Sequence, residues 1–163
     1  MKLELTQAPE SNETNLTNIM PVYGSEFAAC FDISADLKNR VIKIKGEESC
    51  EIECNSGEIT LLPETRALIP TGFIFGIPSG FRLNLVSRSG LTWKSGIIVL
   101  NAPGVIDEDY VDETFVVVHN TSSEPFVIEH GMRICQAEIN PVYRVELDSL
   151  GKRESGFGSS GLQ

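Results

Sequence analysis

Short runs in which apolar and polar side chains alternate dominate this chain, and glycine, proline or asparagine breaks them at short intervals. In Phe81-Arg82-Leu83-Asn84-Leu85-Val86 the alternation places Phe81, Leu83 and Leu85 on one face of a strand, because successive strand side chains point to opposite sides. Arg66-Ala67-Leu68-Ile69 runs into a turn at Pro70-Thr71-Gly72, and Phe73–Ile77 follows before another turn at Pro78-Ser79-Gly80. Further strands are predicted at Val41–Lys45, Cys50–Cys54, Ile97–Leu100, Thr114–His119, Phe126–Ile128, Arg133–Ile139 and Tyr143–Leu147. Helical periodicity is sustained nowhere beyond a turn or two, apart from a short turn at Leu91–Lys94. Many short strands with regular turns predict an all-β fold: a sandwich, jelly roll or barrel.

No internal repeat or linker divides residues 1–150, which read as one β domain. Residues 38–60 are more polar than their flanks, with two strand-like pieces around Gly46-Glu47-Glu48-Ser49. They read as an inserted hairpin without a catalytic role. Residues 151–163, GKRESGFGSSGLQ, cannot sustain a helix or strand, since glycine gives up too much backbone freedom. They read as a flexible C-terminal arm, yet one that carries Arg153 and Phe157.

Composition narrows the function classes. The formal net charge of -10 argues against a nucleic-acid binder, which needs a basic footprint. A small anion remains compatible if arginine, backbone N–H groups or a divalent cation supply local positive potential. The longest apolar stretches, such as Gly96–Leu100, fall far short of the ~20 residues of a membrane span. The first fifteen residues carry no apolar run suited to a signal peptide, so a cytoplasmic protein is expected, in the host cytoplasm if viral. Cys30, Cys50, Cys54 and Cys135 fit thiols kept reduced there. Cys50 and Cys54 share a strand face but have no nearby histidine, a poor zinc site.

Three polar clusters stand out. In Ala29–Asp36, Asp32 interrupts an apolar run and needs a partner if buried; the plain alternative is an aspartate capping a turn. In Ser87-Arg88-Ser89-Gly90-Leu91, small residues around an arginine let a guanidinium, a hydroxyl and backbone N–H groups converge on an anion. Asp32 is the natural partner to orient Arg88. In Asn101–Tyr110, Asn101 offers a donor and an acceptor to a pyrimidine edge, and Gly104 permits close approach. Asp107, Glu108 and Asp109 offer a general base for activating water; spacing alone does not choose among them, and an inert acidic turn is the alternative. Gly131–Gln136 looks like a turn entering a strand. His119 and His130 have no serine or cysteine partner in any motif, and no Walker-type loop occurs.

In this order the clusters resemble the trimeric deoxyuridine triphosphatases (dUTPases). Ala29–Ala35 is similar to that family's first motif, Ser87–Leu91 with Lys94 and Gly96 to the second, and Asn101–Tyr110 to the third. Gly131–Gln136 resembles the fourth and Arg153–Gly161 the glycine-rich fifth. The chain departs from the usual pattern at Cys30, Asp112, Met132 and Ser155. The resemblance implies a jelly-roll subunit of a homotrimer with shared active sites, hydrolysing dUTP to dUMP and pyrophosphate with magnesium on the triphosphate. It implies that Asp107 activates the water, that Asn101 and Gly104 meet uracil, and that Tyr110 packs under the deoxyribose. Arg88, Ser89, Gly90 and Gln136 would hold phosphates, with Asp32 orienting Arg88 or binding metal-linked water. Arg153, Gly158, Ser159 and Ser160 would close over the terminal phosphates, and Phe157 would stack on the base. The nearest alternative is a dCTP deaminase; a non-catalytic nucleotide sensor on the same scaffold is another.

Overall fold

Alternation decides which side of each strand faces inward. In the computed structural model, which describes residues 1–147, strands β1 (Glu4–Gln7), β2 (Val22–Tyr23), β3 (Phe31–Ser34), β4 (Arg40–Lys45), β5 (Ser49–Cys54), β6 (Glu58–Leu61) and β7 (Arg66–Pro70) precede β8 (Phe73–Gly76) and β9 (Phe81–Ser87). Helix α1 (Ser89–Ser95) follows, then β10 (Ile97–Val99), β11 (Gly104–Ile106), β12 (Phe115–Asn120), β13 (Phe126–Glu129) and β14 (Arg133–Pro141). β12 turns Val116, Val118 and Asn120 inward and leaves Phe115, Val117 and His119 partly exposed; β4 buries Arg40, Ile42 and Ile44 while Val41, Lys43 and Lys45 face out.

Two five-stranded antiparallel sheets, ordered β10-β12-β7-β4-β5 and β11-β9-β14-β3-β2, carry the architecture, with two-stranded pairs β1-β8 and β13-β6 beside them. A single apolar cluster draws on both large sheets, with Ile42, Ile69 and Val118 from one and Ile33, Leu83 and Leu85 from the other. Burial of this two-layer core drives the fold. The architecture is an all-β, jelly-roll-like one. Among the described residues no helix is long and apolar enough to cross a membrane.

Most predicted strands are present within a residue or two. Leu83 and Leu85 are buried together, although Phe81 on the same face is only half-buried. The turn expected at Leu91–Lys94 is a full seven-residue helix, closed by Gly96 in the left-handed region at φ 66°, whose N–H bonds the Thr92 carbonyl. One expectation fails: residues 143–147 form no strand, and Tyr143, Val145 and Leu147 are exposed with no neighbouring strand to pair them. Residues 38–60 do contain a hairpin, β4–β5, but β4 also pairs with β7 and is an interior strand of its sheet. Cys50 and Cys54 share a strand face at different depths, Cys50 exposed and Cys54 buried.

Candidate active site

Asp32 sits on β3, which is buried at all four positions because β14 and β2 flank it in the sheet. A buried carboxylate needs compensating cations or donors, and it has two. Arg88 Nε donates to Asp32 Oδ1 at 3.1 Å, and Arg133 Nη1 donates to Oδ2 at 2.9 Å. The pairing of Asp32 with Arg88 expected from sequence is therefore present; the turn-capping alternative is not. Arg88 Nη1 also donates to the Arg133 carbonyl at 2.7 Å. Gln136 lies opposite Asp32 on one side and Val86 on the other, so the sheet register brings it to the same group.

β9 delivers Arg88 to this position. Its last residue, Ser87, accepts the Val99 N–H at 2.8 Å, and Arg88 itself is the extended residue preceding α1. Ser89 and Gly90 then open the helix and are exposed. Cys135 lies beneath, fully buried; burial first, then the Asp32 charge, push its thiol up to about 12, so it stays protonated.

The third cluster is organised by β11. Gly104 is buried against β9, opposite Leu85, and a Cβ there would meet Asn101 Nδ2 at 3.3 Å and Leu85 Cβ at 3.4 Å. A side chain at this position would have to displace Asn101, which lies directly over it, by a few tenths of an ångström. The chain reaches β11 through a cis Ala102–Pro103 bond. Asp107 is exposed, whereas Glu108 is engaged, accepting the Gly80 N–H and lying 3.6 Å from Arg144. That difference separates two of the three acids that spacing left equivalent: Glu108 braces a turn.

Tyr110 donates its hydroxyl to the Glu113 carbonyl at 3.0 Å, and its own N–H bonds the Asp107 carbonyl at 3.2 Å. Burial, with Asp112 and Glu113 nearby, raises the Tyr110 phenol above its ordinary value. The Glu113 carboxylate is buried and accepts the Gly72 N–H at 2.8 Å and the Arg40 guanidinium, which also holds Asp36 at 2.6 Å. Arg40 belongs to β4, so the segment read as a catalytically silent hairpin braces the Tyr110 loop.

One chain does not bring the two halves together. Ile106 lies opposite Leu83, which sets Asp107 at the level of Arg82. Arg88 is six residues further along the chain, just past the end of β9, about 20 Å at the rise of a strand and beyond the reach of two side chains. No hydrogen bond or ion pair among the described residues joins Asp107 or Tyr110 to the Asp32–Arg88 group. The expectations at Arg153, Phe157, Gly158, Ser159 and Ser160 lie outside the described residues. Arg133 is the residue that sequence reasoning missed, although it lies within the Gly131–Gln136 stretch.

The dUTPase family model matches residues 53–161. The chain belongs to the dUTPase family. Among curated dUTPases, the deoxyuridine 5'-triphosphate nucleotidohydrolase of Rhizobium rhizogenes is 38% identical over 149 residues, 88% of this chain and 85% of that protein. The dUTPase of Streptococcus mutans has the same fold, with TM-score 0.66 and 22% identity over 87% of this chain and 98% of its own. A point variant of the dUTPase of phage phi11 of S. aureus, described for its coordination of a structural Mg(II) ion, superposes with TM-score 0.69. Its identity is 19%, covering 95% of this chain and all of that one. The dUTPase match runs through the second to fifth clusters, and the curated relative extends it over most of the chain.

Proposed function

We propose that the chain is a dUTP diphosphatase, hydrolysing dUTP to dUMP and pyrophosphate. That reaction limits uracil incorporation into DNA and supplies dUMP for thymidylate synthesis. The observation that carries this reading is Arg88, oriented by buried Asp32 beside exposed Ser89 and Gly90, in a chain whose relatives are deoxyuridine triphosphate nucleotidohydrolases. Asp107, exposed and with no side-chain partner among the described residues, takes a proton from water as the water oxygen bonds the α-phosphorus. The bond from the α-phosphorus to its bridging oxygen breaks, and pyrophosphate leaves. Such chemistry depends on positioning and charge stabilisation more than on covalent help.

Arg88, Ser89, Gly90 and Gln136 hold phosphates. Asn101, with the backbone at Gly104, reads uracil, and Tyr110 packs under the deoxyribose and excludes a 2′-hydroxyl. Arg153, Gly158, Ser159 and Ser160 close over the terminal phosphates, with Phe157 on the base. A tail rich in glycine and serine that orders on binding suits that task.

Magnesium fits as an ion carried by the triphosphate, where it neutralises charge on the phosphate oxygens. Among the described residues no group of three or more His, Cys, Asp or Glu side chains offers a protein cage. Both Asp32 oxygens already accept a guanidinium, which favours contact with such an ion through water over direct ligation. The four free thiols accord with a cytoplasmic site of action.

The separation of Asp107 from Arg88 supports active sites completed between subunits of a homotrimer. So do the buried Arg82 Nε, Asn84 Oδ1 and Asn140 Nδ2, which find no partner among the described residues and lie on adjoining strands β9 and β14. Pyrophosphate release from a panel of deoxynucleoside triphosphates, with and without magnesium, tests the activity. Release from dUTP alone supports it; ammonia release from dCTP would assign a deaminase instead.

A further inference from the structure

Asp32 is held by two guanidinium groups, and only one belongs to the phosphate-binding set. Oδ1 accepts Arg88 Nε at 3.1 Å and Oδ2 accepts Arg133 Nη1 at 2.9 Å. Arg133 meets Arg88 a second time through its backbone, the carbonyl accepting Arg88 Nη1 at 2.7 Å. Arg133 opens β14 where pairing with β3 is irregular, the register shifting between Arg133 and Cys135. Irregularities of that kind re-aim a side chain within a ladder.

We propose that Arg133 is a positioning residue for dUTP hydrolysis: by occupying Asp32 Oδ2 it limits Arg88 to a single Nε contact and keeps Arg88 Nη2 turned to the triphosphate. The inference rests on the reading that Arg88 binds phosphate. A carboxylate facing a lone arginine prefers the two-bond, side-by-side arrangement. With Oδ2 vacated, Arg88 Nη2 swings onto Asp32, and the nitrogen meant for phosphate is consumed. Arg133 also sets the local charge. Two guanidinium groups on one carboxylate leave an excess positive charge at the phosphate loop of a chain whose net charge is -10. Without Arg133 the Asp32–Arg88 pair is neutral.

Arg133→Gln and Arg133→Lys in the full chain, with Arg88→Gln in parallel, test this by steady-state dUTP hydrolysis and thermal melting. Arg133→Gln is expected to raise KM for dUTP about tenfold or more, with Tm close to that of the wild type. Arg133 reaches Asp32 through one nitrogen, so lysine should restore most of the loss. Combined with Arg88→Gln, the Arg133→Gln effect should fall well short of multiplicative, since both act through one guanidinium. A lowered Tm with unchanged KM, or a KM effect that lysine does not rescue, overturns the positioning role. A normal KM in Arg88→Gln would overturn the phosphate reading itself and the proposal with it. A raised KM there with a normal KM in Arg133→Gln overturns the proposal alone.

Discussion

The Tyr110 hydroxyl donates to the carbonyl of Glu113 at 3.0 Å, while the carboxylate of that glutamate is clasped by buried Arg40 and the Gly72 N–H. The side chain proposed to meet the deoxyribose is thus tied to a buried ion triad that begins on β4. Arg40→Leu leaves Asp36 and Glu113 buried without their cation. A loss of about 3–5 kcal/mol in folding stability is expected, as for removal of one partner of a buried pair. Urea denaturation measures it, and a loss below about 1 kcal/mol would show that the triad is not what holds this loop.

Asp107 stands apart from Glu108, which is spent on the Gly80 N–H. Asp107→Asn removes the proton acceptor while keeping the side-chain volume. It is expected to lower kcat by about 10²–10⁴-fold, the usual range for a lost general base, with affinity for a non-hydrolysable dUTP analogue largely retained. Full turnover in this variant would remove Asp107 from the mechanism.

Deleting residues 151–163 takes away Arg153, Phe157 and the serines proposed to cover the phosphates. The truncated chain should keep its β-rich circular dichroism and its oligomeric state on sizing, and lose most of its dUTP hydrolysis. Hydrolysis at the wild-type rate would mean that the tail does not act as a lid.

Glu13 makes folding stability depend on pH. Its carboxyl is held below the ordinary range, chiefly by the Asn15 N–H at 2.6 Å and also by His130 and Lys38, against the opposing effect of burial. The Leu37 N–H donates to His130 Nδ1 at 3.1 Å, which leaves the ring proton on Nε2 to donate to Glu13 at 2.6 Å. For a depressed carboxylate, the stabilisation is complete above the unfolded-chain value, about 4.3, and disappears as pH falls through the folded value. The stability gap between wild type and Glu13→Gln should therefore hold near neutrality and shrink below about pH 4. Denaturation midpoints measured from neutral to acid pH check it; a gap that does not change with pH would rule the contribution out.

Strands rich in apolar and β-branched residues between turn signals were legible, β9 and β12 among them, and so was the Asp32–Arg88 pair, because a lone aspartate in an apolar run calls for a cation. β1 was not legible: of Glu4–Gln7 only Leu5 is turned even partly inward, so the segment has no apolar face to see. Residues 143–147 misled for the opposite reason, since they alternate but have no partner strand. Arg40 shares the inward face of RVIKIK with Ile42 and Ile44, so alternation already places it there. What the pattern does not reveal is its partners Asp36 and Glu113, the latter far along the chain. Arg133 gave no local signal at all, since only the β3–β14 pairing carries it to Asp32. Tertiary pairing decides these residues, and a one-dimensional pattern does not contain it.

Each dUTP-hydrolysing site is proposed to combine Arg88 of one subunit with Asp107 of another. Co-expression of Asp107→Asn and Arg88→Gln chains tests it directly, each variant alone being nearly inactive. In randomly mixed trimers roughly a quarter of the shared sites draw both intact residues, so the mixture should recover dUTP hydrolysis to about that fraction of the wild-type rate. A mixture as inactive as either parent, beside an active wild type, would contradict a site shared in this way.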